Sequence, residues 1–414
     1  MIQTVDKFLS ILDLPPKVTY EEFRGRLSIL DISDKSGTFA VRSDVFAFLD
    51  RVARKDDRRD RLDLYLRNLY RILVVDREEA LTHWFRKYVE LTKGLEEYLR
   101  PPNLDLLDDA TGTFLAFKHS KHGRICKNIN MESFYNTRKL YAKDSEYVLG
   151  LMKAMFQKFH IRNSLVSPAF FDHMCRSGGY DSFWFDFMIG ANRPSIFNPV
   201  AYLSMMNRLF SGNTLFAPVM GWNSYQLAFY GSSSFGHFIS TDVIPSVVDN
   251  GRRLHEEWSK SSKGLFGNDK TIDLYCCPSE KLNERHDFSS KYRDSVDAVL
   301  FSPPYYELEI YDGGEQSILS HPTYSEWLTG YWEETVKLCC SVMRKKARFG
   351  FVISNYVDKN KNMTNISEDM RNIACSHLNI VGRYKVKWSA ISGSRQSMKT
   401  RNGNYEDLWL LEKS

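Results

Sequence analysis

Ser302-Pro303-Pro304-Tyr305 carries the sharpest chemical signature in this 414-residue chain. It directly follows an apolar run at 297–301 that reads as a strand. Two consecutive prolines fix a rigid, extended turn, because each locks its own φ and drives the residue before it out of the helical region. Such a turn holds a backbone carbonyl at one place, pointing away from the sheet. Beside that carbonyl stand a small hydroxyl, Ser302, and an aromatic plate, Tyr305. The set suits a flat ring bearing an amino group. The hydroxyl and the Pro303 carbonyl accept hydrogen bonds from the amine, and Tyr305 stacks on the ring, the geometry expected for a base swung out of a helix. A proline-rich loop that merely caps a strand reads the same, so the four residues need their context.

That context is a set of elements able to position the turn. After about residue 160, short apolar runs at 215–219, 238–240, 272–276, 298–301 and 351–354 alternate with helix-like segments such as 247–258 and 324–343. Strand alternating with helix predicts a mostly parallel sheet covered on both faces, with ligands at the carboxyl ends of its strands. The first part, to about residue 155, is highly charged and reads as helical. Its segment 78–99 is amphipathic, with Trp84, Phe85, Tyr88 and Leu91 on the apolar side, and Pro101-Pro102 ends it. Two domains are expected: a helical one over 1–155, for recognition or interaction, and a catalytic one over 156–414.

The tetrapeptide resembles motif IV, (D/N/S)PP(Y/F), of the amino-methyltransferases of DNA. The longer run through Tyr306, Glu309, Tyr311, Gln316-Ser317, Tyr324, Trp327 and Leu328 is similar to a subset of these enzymes common in phages and plasmids. The resemblance covers roughly residues 160 to 414 and implies an α/β fold: a Rossmann-like class I methyltransferase sheet with a mostly helical N-terminal domain. It also implies S-adenosyl-L-methionine as cofactor. Phe197-Asn198-Pro199 resembles motif X, where Phe197 and Pro199 would line the cofactor pocket. The segment 215–224 resembles motif I, with Pro218, Gly221 and Trp222 as cofactor-binding candidates and Gly221 allowing close backbone approach. Here the sequence departs from the pattern: Ala217-Pro218 replaces the usual acid, and Asn223 the usual second glycine. Asp242 matches motif II, where an acid accepts hydrogen bonds from both ribose hydroxyls, although a helix cap or surface acid reads the same locally. Ser279 holds the motif III position, expected to touch the adenine ring, or else caps the next helix. Asn355 would border the active site, and 401–411 resembles a closing hairpin with Asn402-Gly403 at its turn.

The activity implied is methyl transfer to the exocyclic amine of a base in DNA, N4 of cytosine or N6 of adenine. Serine at the first motif IV position is more typical of cytosine enzymes. There is no Pro-Cys motif of the kind used to methylate carbon 5 of cytosine, so direct in-line transfer without a covalent enzyme intermediate is expected. His255 and His286 are explained by surface positions. The 7 cysteines suit neither a disulfide ladder nor a zinc site, and no metal is expected. A net charge of +5 is a weak pointer to a polyanion. Phosphate contacts are expected from Lys121 and Arg124 in one basic cluster and from Arg395, Lys399 and Arg401 in the 392–404 loop, the better of the two. The stretch between Asp242 and Ser302 is too short for an inserted recognition domain, which leaves that task to the N-terminal region or to loops after Tyr305. With no signal-like start and no membrane-length apolar run, a soluble cytoplasmic protein is expected. Two other readings stay open: methylation of RNA or of a protein side-chain amide, and a degenerate methyltransferase fold kept as a binding module.

Overall fold

The computed structural model describes residues 19–22, 32–33, 40–41, 77–93, 95–98, 104–105, 113–117, 126, 129–130, 196–262, 270–307, 314–357, 362–388 and 405–414. The chain divides into two compact units, one of Met1–Arg86 with Met131–Pro194 and one of Lys87–Asn130 with Ser195–Ser414. In the first, Glu22 caps the backbone N–H of Thr19 at 2.8 Å, and a short antiparallel ladder pairs Ile32 with Val41.

The second unit is built on one nine-stranded sheet. Its strands are β1 (Leu104–Asp105), β2 (Thr113–Phe117), β3 (Thr214–Ala217), β4 (His237–Asp242), β5 (Thr271–Cys276), β6 (Val296–Phe301), β7 (Met343–Ile353), β8 (Asn379–Trp388) and β9 (Tyr405–Glu412). They lie in the order β1-β2-β8-β9-β7-β6-β3-β4-β5. Strands β5, β4, β3, β6 and β7 are all parallel, and β9 runs antiparallel to both β7 and β8. This is a Rossmann-like α/β sheet, a parallel core with β9 reversed beside it and β1 reversed at the far edge. The central strands are near-continuous apolar runs because both faces are covered: Leu215, Phe216, Ala217, Ala298, Val299 and Leu300 are fully buried.

The expected strands form close to their expected bounds, with two differences. The strand read at 351–354 begins at Met343, because exposed Arg344, Lys345 and Lys346 interrupt its apolar run. Strands β1 and β2 come from the stretch read as helical, and β2 pairs in parallel with β8.

The labelled helices are α1 (Arg77–Lys93), α2 (Pro199–Leu209), α3 (Ser224–Gly231), α4 (Pro245–Ser262), α5 (Glu334–Val342) and α6 (Ile366–Cys375). Asn198 caps α2 by accepting the Val200 N–H at 3.0 Å, and Pro199 occupies its first turn, where no N–H is needed. A π-helical segment, Trp327–Glu333, leads into α5. Among the described residues no helix is long and apolar enough to cross a membrane.

Candidate active site

The chain leaves β3 toward β4 and β5 on one side, then returns to β6 and β7 on the other. The crevice beyond the carboxyl ends of β3 and β6 is therefore the topological switch point, where open α/β sheets bind ligands. The Gly221 turn follows β3, and Ser302-Pro303-Pro304-Tyr305 follows β6.

The first turn is left-handed over three successive residues. Gly221, Trp222 and Asn223 have φ of 53°, 58° and 62°. Only glycine fits at 221, because a Cβ there would stand 2.5 Å from the Tyr225 ring. Trp222 and Asn223 adopt this conformation at a cost of about 1–2 kcal/mol each, less for asparagine. Hydrogen bonds offset it: the Asn223 carbonyl accepts the Tyr88 hydroxyl at 2.9 Å, and Ser224 Oγ donates to the Gly221 carbonyl at 2.7 Å. Asn223, fully buried, also donates through Nδ2 to the Val247 carbonyl at 3.2 Å.

Asp242 ends β4, opposite Cys276 at the end of β5. Its carboxylate accepts the Ile244 N–H at 3.0 Å, together with the backbone N–H groups of Met220 and Val243. Burial pushes its pKa up to about 6, against the pull of those three N–H groups. The residue thus makes the local turn expected of a cap and, through Met220, ties the end of β4 to the residue before Gly221. Ser240 Oγ adds a second tie, donating to the Ala217 carbonyl at 2.7 Å.

The proline turn is fixed from beneath. Ser302 donates its N–H to the Tyr225 hydroxyl at 3.0 Å. Tyr225 stacks on Tyr202 of α2 with centroids 4.3 Å apart, and Tyr202 donates its hydroxyl to the Leu300 carbonyl at 2.6 Å. Phe197 packs edge-on against both tyrosines. Phe197 and α2 thus meet the β6 end through an aromatic stack. Ser302 and Pro304 are half-buried and Pro303 is buried. Tyr305 is 6% exposed: its hydroxyl accepts the Ser354 N–H at 3.0 Å and donates to Glu406 at 3.2 Å, closing the turn onto β7 and β9.

Ser279 faces inward, its hydroxyl 2.9 Å from that of Thr335 on α5. Next to it Glu280 was missed by sequence reasoning. Its side chain is 5% exposed, and burial pushes its pKa up to about 7. His321 Nε2 lies 3.9 Å away, its own pKa lowered by burial. The segment that carries His321 crosses the strand ends. Gly314, with φ of 67°, packs where a Cβ would stand 1.8 Å from the Val243 carbonyl. Glu315 accepts from Lys281 at 2.8 Å and from both Arg285 NH groups at 2.7 and 2.9 Å, which hold its pKa down to about 2. Local sequence offers no signal for these long-range pairs. Nor does it for Tyr225, Tyr202 and Tyr88.

The other residues singled out in the sequence are placed as follows. Asn355 accepts the Ser367 N–H at 3.0 Å and so caps α6. His255 is half-buried rather than on the surface, 2.8 Å from the Tyr230 hydroxyl and stacked near Trp258, whereas His286 is exposed. Trp222 is buried, Pro218 is buried and Val219 half-buried. Lys121, Arg124, Arg395, Lys399 and Arg401 lie outside the described residues. Among the described residues no cluster of histidine, cysteine or acidic groups could hold a metal ion.

Solved structures resemble the fold at low identity. TrmN from Thermus thermophilus matches with a TM-score of 0.33 and 13% identity over 52% of this chain and 49% of its own, so the chain spans about half the length of that protein. The N-methyltransferase NodS from Bradyrhizobium japonicum WM9, in complex with S-adenosyl-L-homocysteine, matches with a TM-score of 0.30 and 10% identity over 51% and 83%. The 1,6-didemethyltoxoflavin-N1-methyltransferase of Burkholderia thailandensis matches with a TM-score of 0.30 and 12% identity over 65% and 89%. No protein-family model and no curated protein sequence matches the chain.

Proposed function

We propose that the chain is an S-adenosyl-L-methionine-dependent methyltransferase acting on the exocyclic amino group of a base in DNA. The observation that carries this reading is the placement of Ser302-Pro303-Pro304-Tyr305 across the switch point from the Gly221 turn, with Asp242 on the adjacent strand end. Two observations support the cofactor: Gly221 opens a left-handed turn after β3, its missing Cβ making room for Tyr225 beneath, and Asp242 would offer a carboxylate to ribose hydroxyls. Phe197 and Pro199 would flank it from α2. The cofactor supplies a methyl group already activated on a sulfonium.

The protein's part is then positioning. An exocyclic amine conjugated to its ring is planar and a poor nucleophile. Ser302 Oγ and the Pro303 carbonyl would accept hydrogen bonds from its two N–H groups and favour a tetrahedral nitrogen, an interaction stronger in the transition state than in the ground state. Tyr225 holds the Ser302 backbone while this happens. The Ser302 side chain favours cytosine N4, and adenine N6 remains the alternative. DNA as partner rests on the sequence resemblance and on the basic clusters around Lys121, Arg124, Arg395, Lys399 and Arg401.

A second reading, a methyltransferase fold kept as a binding module, is favoured by Ala217-Pro218 and Asn223 in the first turn. One experiment tests both. Purified protein is incubated with unmodified DNA and the cofactor, and the digested nucleosides are identified by mass spectrometry. N4-methylcytosine or N6-methyladenine upholds the proposal. No product and no cofactor binding favours the module; cofactor binding without product from DNA moves the substrate to RNA or a protein amide.

A further inference from the structure

The departure at Asn223 has a structural counterpart in the same compact unit. Asn130, 1% exposed, places its Nδ2 among three acceptors: the Cys126 carbonyl at 3.0 Å, the Trp222 carbonyl at 3.0 Å and Asn223 Oδ1 at 2.8 Å. Asn250 of α4 fixes the other end of that amide, donating to Asn130 Oδ1 at 3.3 Å and to the Ile129 carbonyl at 3.1 Å. Asn223 Nδ2 lies 3.4 Å from Gln226 Oε1, and Gln226 donates to the Tyr230 hydroxyl at 2.9 Å and to the Gly251 carbonyl at 2.8 Å. Together with the Tyr88 hydroxyl on the Asn223 carbonyl, these bonds surround the two non-glycine residues held left-handed. A glycine at 223 would adopt that backbone freely and need no such support. An asparagine brings a side chain that is buried there and must be satisfied.

We infer that Asn130 is a positioning residue for the cofactor turn: it holds Trp222 and Asn223 in the left-handed conformation that a second glycine would otherwise supply. Asn130 and Tyr88 are on this account working parts of the cofactor site. Only the binding arm of the test rests on the cofactor reading above.

The test uses the full chain with Asn130→Ala, Asn130→Asp, Asn223→Gly and the double variant Asn130→Ala/Asn223→Gly. Hydrogen exchange without ligand reads the turn itself. Calorimetric titration with S-adenosyl-L-homocysteine reads the site. Removing the Asn130 donor should speed exchange of amides 220–224 by roughly tenfold, the effect of one or two hydrogen bonds, while β6 keeps its protection. Affinity should weaken by a similar factor, roughly tenfold, in Asn130→Ala and further in Asn130→Asp, which sets a carboxylate against two carbonyls. In the Asn223→Gly background the same truncation should cost less than about threefold, because the backbone no longer needs holding. Unchanged exchange of the turn in both Asn130 variants overturns the inference, as does an equal affinity loss in both backgrounds. Wild-type protein that ignores S-adenosyl-L-homocysteine, while Asn130→Ala still loosens the turn, upholds the positioning role and defeats the cofactor reading instead.

Discussion

Asp242 makes the proposed cofactor site sensitive to pH, and the sign follows from its surroundings. Burial lifts its carboxyl from an ordinary 3.8 to about 6. Between those values the native protein holds a proton that the unfolded chain has released. Its contribution to stability is therefore fully present below about pH 4 and is lost as pH rises through 6, a difference of roughly 3 kcal/mol. Binding runs the other way. Ribose hydroxyls donate, so the ionised carboxylate is the acceptor they need. At pH 8 the group is almost wholly ionised and at pH 5 only about a tenth is, so affinity should fall roughly tenfold across that interval. Titration of S-adenosyl-L-homocysteine at pH 5, 6, 7 and 8 measures this directly. Glu280, lifted to about 7, also titrates in this window, so Asp242→Asn serves as the control and should give weak, nearly flat binding. A wild-type curve as flat as that of Asp242→Asn, or a slope that survives the substitution, refutes the assignment of Asp242 to the ribose.

Tyr225→Phe removes the acceptor of the Ser302 N–H and should lower kcat roughly tenfold with cofactor affinity unchanged, which methyl-transfer kinetics separate. Tyr305→Phe leaves the Ser354 N–H and Glu406 without their shared partner, and should lower stability by about 1–3 kcal/mol in urea unfolding. Lys270→Met should be more damaging, because the Lys270 ammonium donates to the carbonyls of Phe229, Ser232 and Phe235 at the end of α3. A loss of about 2–5 kcal/mol is expected, and a stability equal to wild type would show those carbonyls to be satisfied otherwise.

The central strands were legible because full burial writes a continuous apolar run, as at 215–217 and 298–301. The Pro-Pro turn was legible because proline acts on its own backbone and its neighbour's, so its consequence is local. Strand β2 was not, since its partner β8 lies far along the chain and Thr113–Phe117 sits among charged residues. The same holds within the site. Ser302, Gly221 and Asp242 are marked by type and position after a strand. Tyr225, Asn130 and Glu280 owe their roles to contacts between distant segments, which leave no periodicity to read. Ser279 shows the converse: it is marked by its place after a strand, while its hydroxyl's partner, Thr335, lies far along the chain.

Strand β9 has a consequence for how the chain reaches its native state. It follows every other strand of the sheet in the sequence, yet it lies between β7 and β8 in the interior of the sheet. Until it inserts, β8 and the two strands that build on it have no bridge to the parallel core, and β2 awaits a neighbour made far later in translation. These are contacts of long sequence separation, which slow folding and leave strand edges exposed meanwhile. A ribosome-bound chain lacking Tyr405–Glu412 should therefore present an open edge on β7, and insertion of β9 should be the step that joins the sheet into one piece.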